Sequence, residues 1–253
     1  RKSPRTEPYF LNFVKLRSQF VFLMDFNLDW LLFTDYSDPK NFLVIFTILF
    51  AGIFLRYLGL AWIYHELVYK KMGDSLPYRR LHEQIRLTQV KTEIWYSFLG
   101  AIIFAVAGAV MLIFWQKGYS QLYTQLTWWD TLWIPLSYFA ALFIHETYYY
   151  WLHRWMHQPK VIRHFHHIHH NSLYTSSFTS FSFHPIEAGL QAIFLPVVVL
   201  VLPMHFFVLL ALLLTMSITA VINHAGVEVY PNWALRSPFF RWMVGATHHD
   251  LHH

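Results

Sequence analysis

Residues 94–115 contain no Asp, Glu, Lys or Arg, an apolar run long enough for a helix to cross about 30 Å of bilayer hydrocarbon. Residues 41–64 repeat the pattern with one interruption, Arg56. Residues 131–144 are apolar and then run directly into His145 and Glu146, which predicts a helix whose far end reaches a water-accessible site. Residues 188–223 again lack charged side chains, and Pro203 within them predicts two helices joined by a tight turn. The pattern therefore predicts four or five transmembrane helices. Upstream, residues 9–33 are aromatic and apolar, but Lys15, Arg17, Asp25 and Asp29 interrupt them, as in a helix lying in the membrane interface. The expected organisation is an N-terminal interfacial segment, residues 1–40, followed by one membrane-embedded domain, residues 41–253.

Composition agrees with a membrane setting. Hydrophobic residues make up 56% of the chain and charged residues 13%, against about 25% charged in soluble domains. Lys70, Lys71, Arg79, Arg80, Arg86 and Lys91 lie between the first two apolar runs, whereas residues 116–130 hold only Lys117. The basic loop is therefore expected on the cytosolic side. Two further crossings return residues 145–158 to that side, and Arg154, Lys160 and Arg163 agree with the placement. The expected fold class is an all-α membrane protein with a cytosolic, histidine-rich helical cap, in a bacterial inner membrane or the endoplasmic reticulum. The formal charge of +5 fits anionic headgroups and not nucleic acid, because the basic residues flank membrane segments. With no cysteine, there is neither a disulfide framework nor a thiolate metal site. An initiator Met and a cleavable signal pattern are both lacking, so residue 1 is expected not to be the native start.

Seventeen histidines change the picture further. "HRWMH" holds His153 and His157, "HHIHH" holds His166, His169 and His170, and "HDLHH" holds His249, His252 and His253. Residues three and four apart share a helix face, so each spacing is expected to aim its imidazoles at a common point. One such box is weak; three on one membrane face are specific. The first two are internal and mixed with Trp, Met, Phe and Ile, unlike an expression tag or a low-complexity metal-buffering tract. Eight imidazoles exceed the capacity of one ion, which implies two. Donor type alone leaves zinc, copper, iron and nickel open. A dinuclear centre beneath an apolar bundle suits redox chemistry on a lipid, which favours iron, with zinc as the ion a purified sample would acquire.

The three boxes in this order, together with "HETYYYWLHRWMH" from His145, "SFHPIEA" from Ser182, "NHAG" from Asn223 and the terminal "THHDLHH", resemble the fatty acid hydroxylase and sterol desaturase superfamily of integral-membrane di-iron enzymes. "FHPIEA" and "NHAG" look more like its sterol desaturase branch. The resemblance covers about residues 130–253. It implies that the eight box histidines bind two irons, with His224 the first additional ligand and His145 and His184 the next. It implies O2 as cosubstrate, a membrane lipid as substrate, and hydroxylation or desaturation of an unactivated C–H bond with no catalytic residue beyond the metal ligands. A sterol or sterol-like lipid is expected, with a fatty acid or ether lipid as the variant within the superfamily. It also implies a further polar segment past His253. With no GxGxxG fingerprint and no haem-attachment motif, electrons are expected from a separate small haem or iron–sulfur protein and its reductase.

Other residues have blander expectations. His184 precedes Pro185 and also suits a helix cap. His164, His167 and His248 sit out of phase beside box histidines; His65, His82 and His205 lack ligand spacing and are expected at the interface. Glu146, Glu187, Glu228 and Asp250 suit either orientation of imidazoles or ordinary helix ends. Tyr148, Tyr149, Tyr150 and Trp151 suit an interfacial belt. The rival from another class is a zinc-binding or zinc-transporting membrane protein, although transporters place their ligands near the bilayer midplane and these histidines cluster at segment ends.

Overall fold

The computed structural model describes residues 34–238 and 244–253; the expected interfacial helix falls in residues 1–33, outside that range. Helix α1, Pro39–Tyr64, starts where the Asp38 carboxylate accepts hydrogen bonds from the Lys40 and Asn41 amides, with Pro39 at the first helical position. Beyond it the chain loosens to π pitch over His65–Met72 and continues helical to Ser75. Helix α2, Leu87–Gln116, buries a stripe of small residues, Gly100, Ala101, Ala105, Gly108 and Ala109. Small side chains allow close helix approach in lipid, where apolar area alone gives no preference for helix over acyl chain. A Cβ at Gly108 would lie 3.2 Å from the Leu49 side chain on α1.

Helix α3, Asp130–Met156, is apolar in its first half and carries histidines in its second. Helices α4, Pro185–Ala192, and α5, Phe194–Val201, are separated by a break at Ile193. Helix α6, Phe206–Asn223, then crosses back, and α7, Ala246–His252, lies near the C-terminus. Residues 188–223 thus form three helices where two were expected. Among the described residues, three helices are long and apolar enough to span a membrane: Pro39–Ser75, Leu87–Gln116 and Phe206–Asn223. That is fewer than the four or five expected, for two reasons. The polar half of α3 shortens its apolar stretch, and Pro185–Val201 is shorter than a span and broken.

At one end of the bundle, strand β1, Leu122–Tyr123, pairs in parallel with β2, Met204–His205. Asp130, buried there, accepts from the Tyr123 hydroxyl and from Thr127. His205 was expected at the interface, but it is buried. Its Nδ1 accepts from the Phe207 amide to cap α6, and its Nε2 lies 3.0 Å from the Thr124 carbonyl. The apolar core joins α2, α5 and α6 through Leu112, Trp115, Val198, Val199, Leu209 and Leu212. The opposite half of the interior is polar. Residues 172–182 bury Ser172, Thr175, Ser176, Ser177, Thr179, Ser180 and Ser182, of which Ser176 and Thr179 hydrogen-bond to Glu93 of α2.

Candidate metal centre

Four backbone pieces converge beyond that polar interior. The last turn of α3 presents His153 and His157. A π-pitched turn, Ile162–His166, runs into a short α-helix, His167–His170, and together they present the second box. His224 caps the end of α6, and α7 carries the third box. The result is two groups of four histidines, each with one ring nitrogen per residue within 4.8 Å of the others. The first group is His153, His157, His166 and His252; the second is His169, His224, His249 and His253.

The grouping departs from the expectation that each box serves a single point, and helix geometry gives the reason. With about 100° per residue, positions four apart are offset by about 40° and positions three apart by about 60° in the opposite sense. Pairs four apart stay close, with Nε2···Nε2 at 3.2 Å for His153–His157, His166–His170 and His249–His253, and the first and last of these pairs each share a group. Pairs three apart, His166–His169 and His249–His252, divide between the groups. His170 belongs to neither tight set. Its ring centroid lies 4.9 Å from His157, 5.0 Å from His252 and 4.8 Å from His253, between the two groups.

The outer ring nitrogens explain why the inner ones face inward. His169 Nδ1 lies 3.2 Å from the Ser182 carbonyl and His224 Nδ1 2.7 Å from the Ala220 carbonyl. Those nitrogens donate, so each Nε2 keeps its lone pair for the cluster. His153 and His252 bring Nε2 atoms to 2.8 Å, His224 and His169 to 3.2 Å. Two ligands about 2.1 Å from a tetrahedral ion stand about 3.4 Å apart, so little movement is needed. Burial, reinforced for most by neighbouring imidazoles, keeps these rings neutral. It pushes His157, His166 and His249 down to about 4, His170 to about 3, and His153 and His253 to about 2. A neutral imidazole is the form that binds a metal. The donor set therefore fits two ions.

His145 and His184 lie outside both groups. His145 faces along α3 in the expected direction but stops one ring short: it stacks on Tyr149 at 6.0 Å, which stacks on His153 at 5.7 Å. Its Nδ1 lies 2.9 Å from Glu146. His184 uses Nδ1 to accept from the Ile186 amide at 3.2 Å, capping α4. Glu187, fully buried on α4, brings Oε1 to 3.0 Å from His166 Nδ1 without hydrogen-bond geometry, and burial pushes its carboxyl well above the usual range. Glu228 accepts from the Tyr230 and Thr247 amides. Asp250 turns from the imidazoles of its own box to His82 and Thr175.

Sequence reading missed Glu93. It is almost fully buried and accepts from Gln89 and Thr179 at 2.8 Å and from Ser176 at 3.4 Å. It thereby holds the turn Ser177–Phe181, which leads to the Ser182 carbonyl facing His169. Only the clustering of Ser and Thr in residues 172–182 hinted at a buried partner.

Histidines gathered into two neutral groups, each able to hold a metal ion, at the end of an apolar helical bundle define an integral-membrane protein with a candidate metal centre. Residues 138–253 match the fatty acid hydroxylase family. The chain is 30% identical over 227 residues to the Delta(7)-sterol 5(6)-desaturase of Leptosphaeria maculans, covering 87% of this chain and 57% of that protein. It is 26% identical over 177 residues to Delta(7)-sterol 5(6)-desaturase ERG3B of Gibberella zeae (69% and 53%). With lathosterol oxidase of Rattus norvegicus it shares 28% identity over 174 residues (68% and 56%). The chain is therefore similar to the fatty acid hydroxylase family over residues 138–253 and to sterol desaturases over most of its length. It spans little more than half the length of these relatives. No solved structure matches it significantly.

Proposed function

We propose that this protein is an O2-dependent oxidoreductase that desaturates or hydroxylates a membrane lipid of sterol type, with two irons held by the two histidine groups. The observation that carries the reading is the pair of neutral four-histidine groups, each assembled from at least three separate backbone pieces, at the end of an apolar bundle. The irons would supply activation of dioxygen against an unactivated C–H bond. His153, His157, His166 and His252 hold one ion and His169, His224, His249 and His253 the other, with His170 between them. The carbonyls of Ser182 and Ala220 fix two of these rings in the ligating tautomer. The apolar helices admit a lipid from the bilayer and exclude bulk water. Desaturation consumes O2, two electrons and two protons and releases two waters, so an external donor, a small haem or iron–sulfur protein with its reductase, delivers the electrons. The histidine face lies on the cytosolic side of the bacterial inner membrane or endoplasmic reticulum, within reach of that donor. The sterol class follows from the names of the relatives, among them Delta(7)-sterol 5(6)-desaturases.

The test is reconstitution of the iron-loaded full-length protein with a reductase system and detergent-solubilised Δ7 sterols, acyl lipids and ether lipids under 18O2. A sterol two hydrogens lighter and unlabelled supports desaturation; one labelled oxygen in the product supports hydroxylation. Oxygen-independent product, or zinc transport into vesicles without lipid oxidation, overturns the enzyme reading.

A further inference from the structure

The third box lies on α7, a helix of seven residues. Helices below about 12 residues are marginal in isolation, yet α7 supplies His252 to the first group and His249 and His253 to the second. Something else must fix its position. Between His249 and His252 stands Asp250, whose Oδ1 lies 2.6 Å from His82 Nε2 and accepts from Thr175 Oγ1, also at 2.6 Å. A carboxylate only accepts, so the His82 Nε2–H is the donor.

His82 belongs to the basic loop between α1 and α2, far along the chain from any box and without ligand spacing of its own. That loop is itself anchored. The Tyr69 hydroxyl donates to the His82 carbonyl at 2.8 Å, and the Tyr174 ring meets His82 edge-on at 5.2 Å. The Leu81 amide donates to Gly226 and the Glu228 amide to Arg79, so the loop is stitched to the turn just after His224. Thr175 opens the buried Ser/Thr segment that Glu93 organises. Asp250 thus joins α7 to two fixed parts of the scaffold through one oxygen.

We propose that His82 is a positioning residue for the metal centre. It holds the third histidine box in register, through Asp250, for both ions. The proposal rests on the metal reading of the two histidine groups. Residues that orient ligands from outside the coordination sphere change metal affinity by about 10- to 100-fold when removed.

The experiment uses cobalt(II) as the probe, in the full chain in detergent. Stoichiometry, the visible ligand-field spectrum and the rate of release to a chelator are read for wild type, His82→Ala, His82→Gln and Thr175→Val. Thermal unfolding of the metal-free proteins is followed alongside. A glutamine side chain at this position retains an N–H donor at similar reach. His82→Ala is expected to release cobalt about tenfold faster with an altered spectrum, His82→Gln to recover most of the wild-type behaviour, and Thr175→Val to fall between. A wild-type release rate and spectrum in His82→Ala overturns the proposal. So does faster release with an unchanged spectrum and a matching loss of metal-free stability, which would make His82 a stabiliser of the fold only. Wild-type protein that binds no cobalt overturns the metal reading itself.

Discussion

His169 and His224 each turn one nitrogen outward to a backbone carbonyl and one inward to the cluster, and what the outer nitrogen does separates ligands from bystanders. His224 donates outward to the Ala220 carbonyl and keeps Nε2 inside, whereas His184 spends Nδ1 as the acceptor that caps α4. His224→Ala is therefore expected to lose at least one metal per chain and His184→Ala to keep both, measured by elemental analysis of purified protein. Full metal content in His224→Ala would reduce that residue to a helix cap. The depressed pKa values give a second expectation, for the metal-free protein. Unfolded histidines titrate near 6.5, while the native rings titrate at about 4 or below. Between those limits the unfolded state binds more protons, so native stability falls as pH drops from about 6.5 to about 4 and is level above pH 7 for these groups. Thermal unfolding between pH 8 and pH 4.5 checks this; a midpoint that rises on acidification would contradict it. The nine histidines of the boxes and of "NHAG" were legible as a constellation because their spacing is a property of the chain. Their division into two groups was not, since it depends on the opposite offsets of positions three and four apart and on how four backbone pieces meet. Asp250 illustrates the limit: its neighbours in sequence are the box histidines, but its partners are His82 and Thr175.

At the scale of elements, the centre depends on pieces that carry no ligand. The turn Ser177–Phe181 is capped at Ser176, tied to α1 by the Ser177 hydroxyl on the Ala61 carbonyl and the Tyr57 hydroxyl on the Phe178 carbonyl, and held from below by Glu93. It ends at the carbonyl that faces His169. Glu93→Ala leaves Thr179, Ser176 and Gln89 without their shared acceptor in a water-poor interior. A loss of about 2–4 kcal/mol is expected, together with weaker metal retention by the second group. An unchanged unfolding midpoint and unchanged metal content would show that the turn holds itself. Hydrophobic runs made α1, α2 and α6 legible, because a membrane span is a matter of length and apolarity. The break at Ile193 and the parallel pairing of β1 with β2 were not legible. Pro196 lies three residues after the first, but Pro135 sits inside the unbroken α3, so a proline alone does not mark a break; the second joins residues more than 80 positions apart by backbone hydrogen bonds.

For the molecule as a whole, the decisive relation is between the basic loop and the histidines. Charge bias alone placed them on one side of the membrane. The structure brings them into contact: Arg79 donates to the Tyr230 carbonyl, the Leu81 amide to Gly226, and His82 to Asp250 beside His249. The opposite end, after α2, carries Lys117 and the paired strands. The two ends are therefore distinct whichever way the bundle is inserted, and charge bias selects which faces the cytosol. Positive residues favour the cytosolic side, and five of the six basic residues between positions 70 and 91 lie outside the spanning helix α2. The prediction is that cysteines introduced at Lys71 and Gln158 into this cysteine-free chain are protected from an impermeant thiol reagent in intact cells or sealed right-side-out vesicles, and react when the membrane is opened. A cysteine at Lys117 should react from outside in both. Labelling of Lys71 and Gln158 together from outside, with Lys117 protected, would invert the bundle and place the metal centre away from cytosolic reductants. Labelling of Lys71 and Gln158 from different sides would contradict the contact between the loop and the histidine face, and with it the fold of the centre.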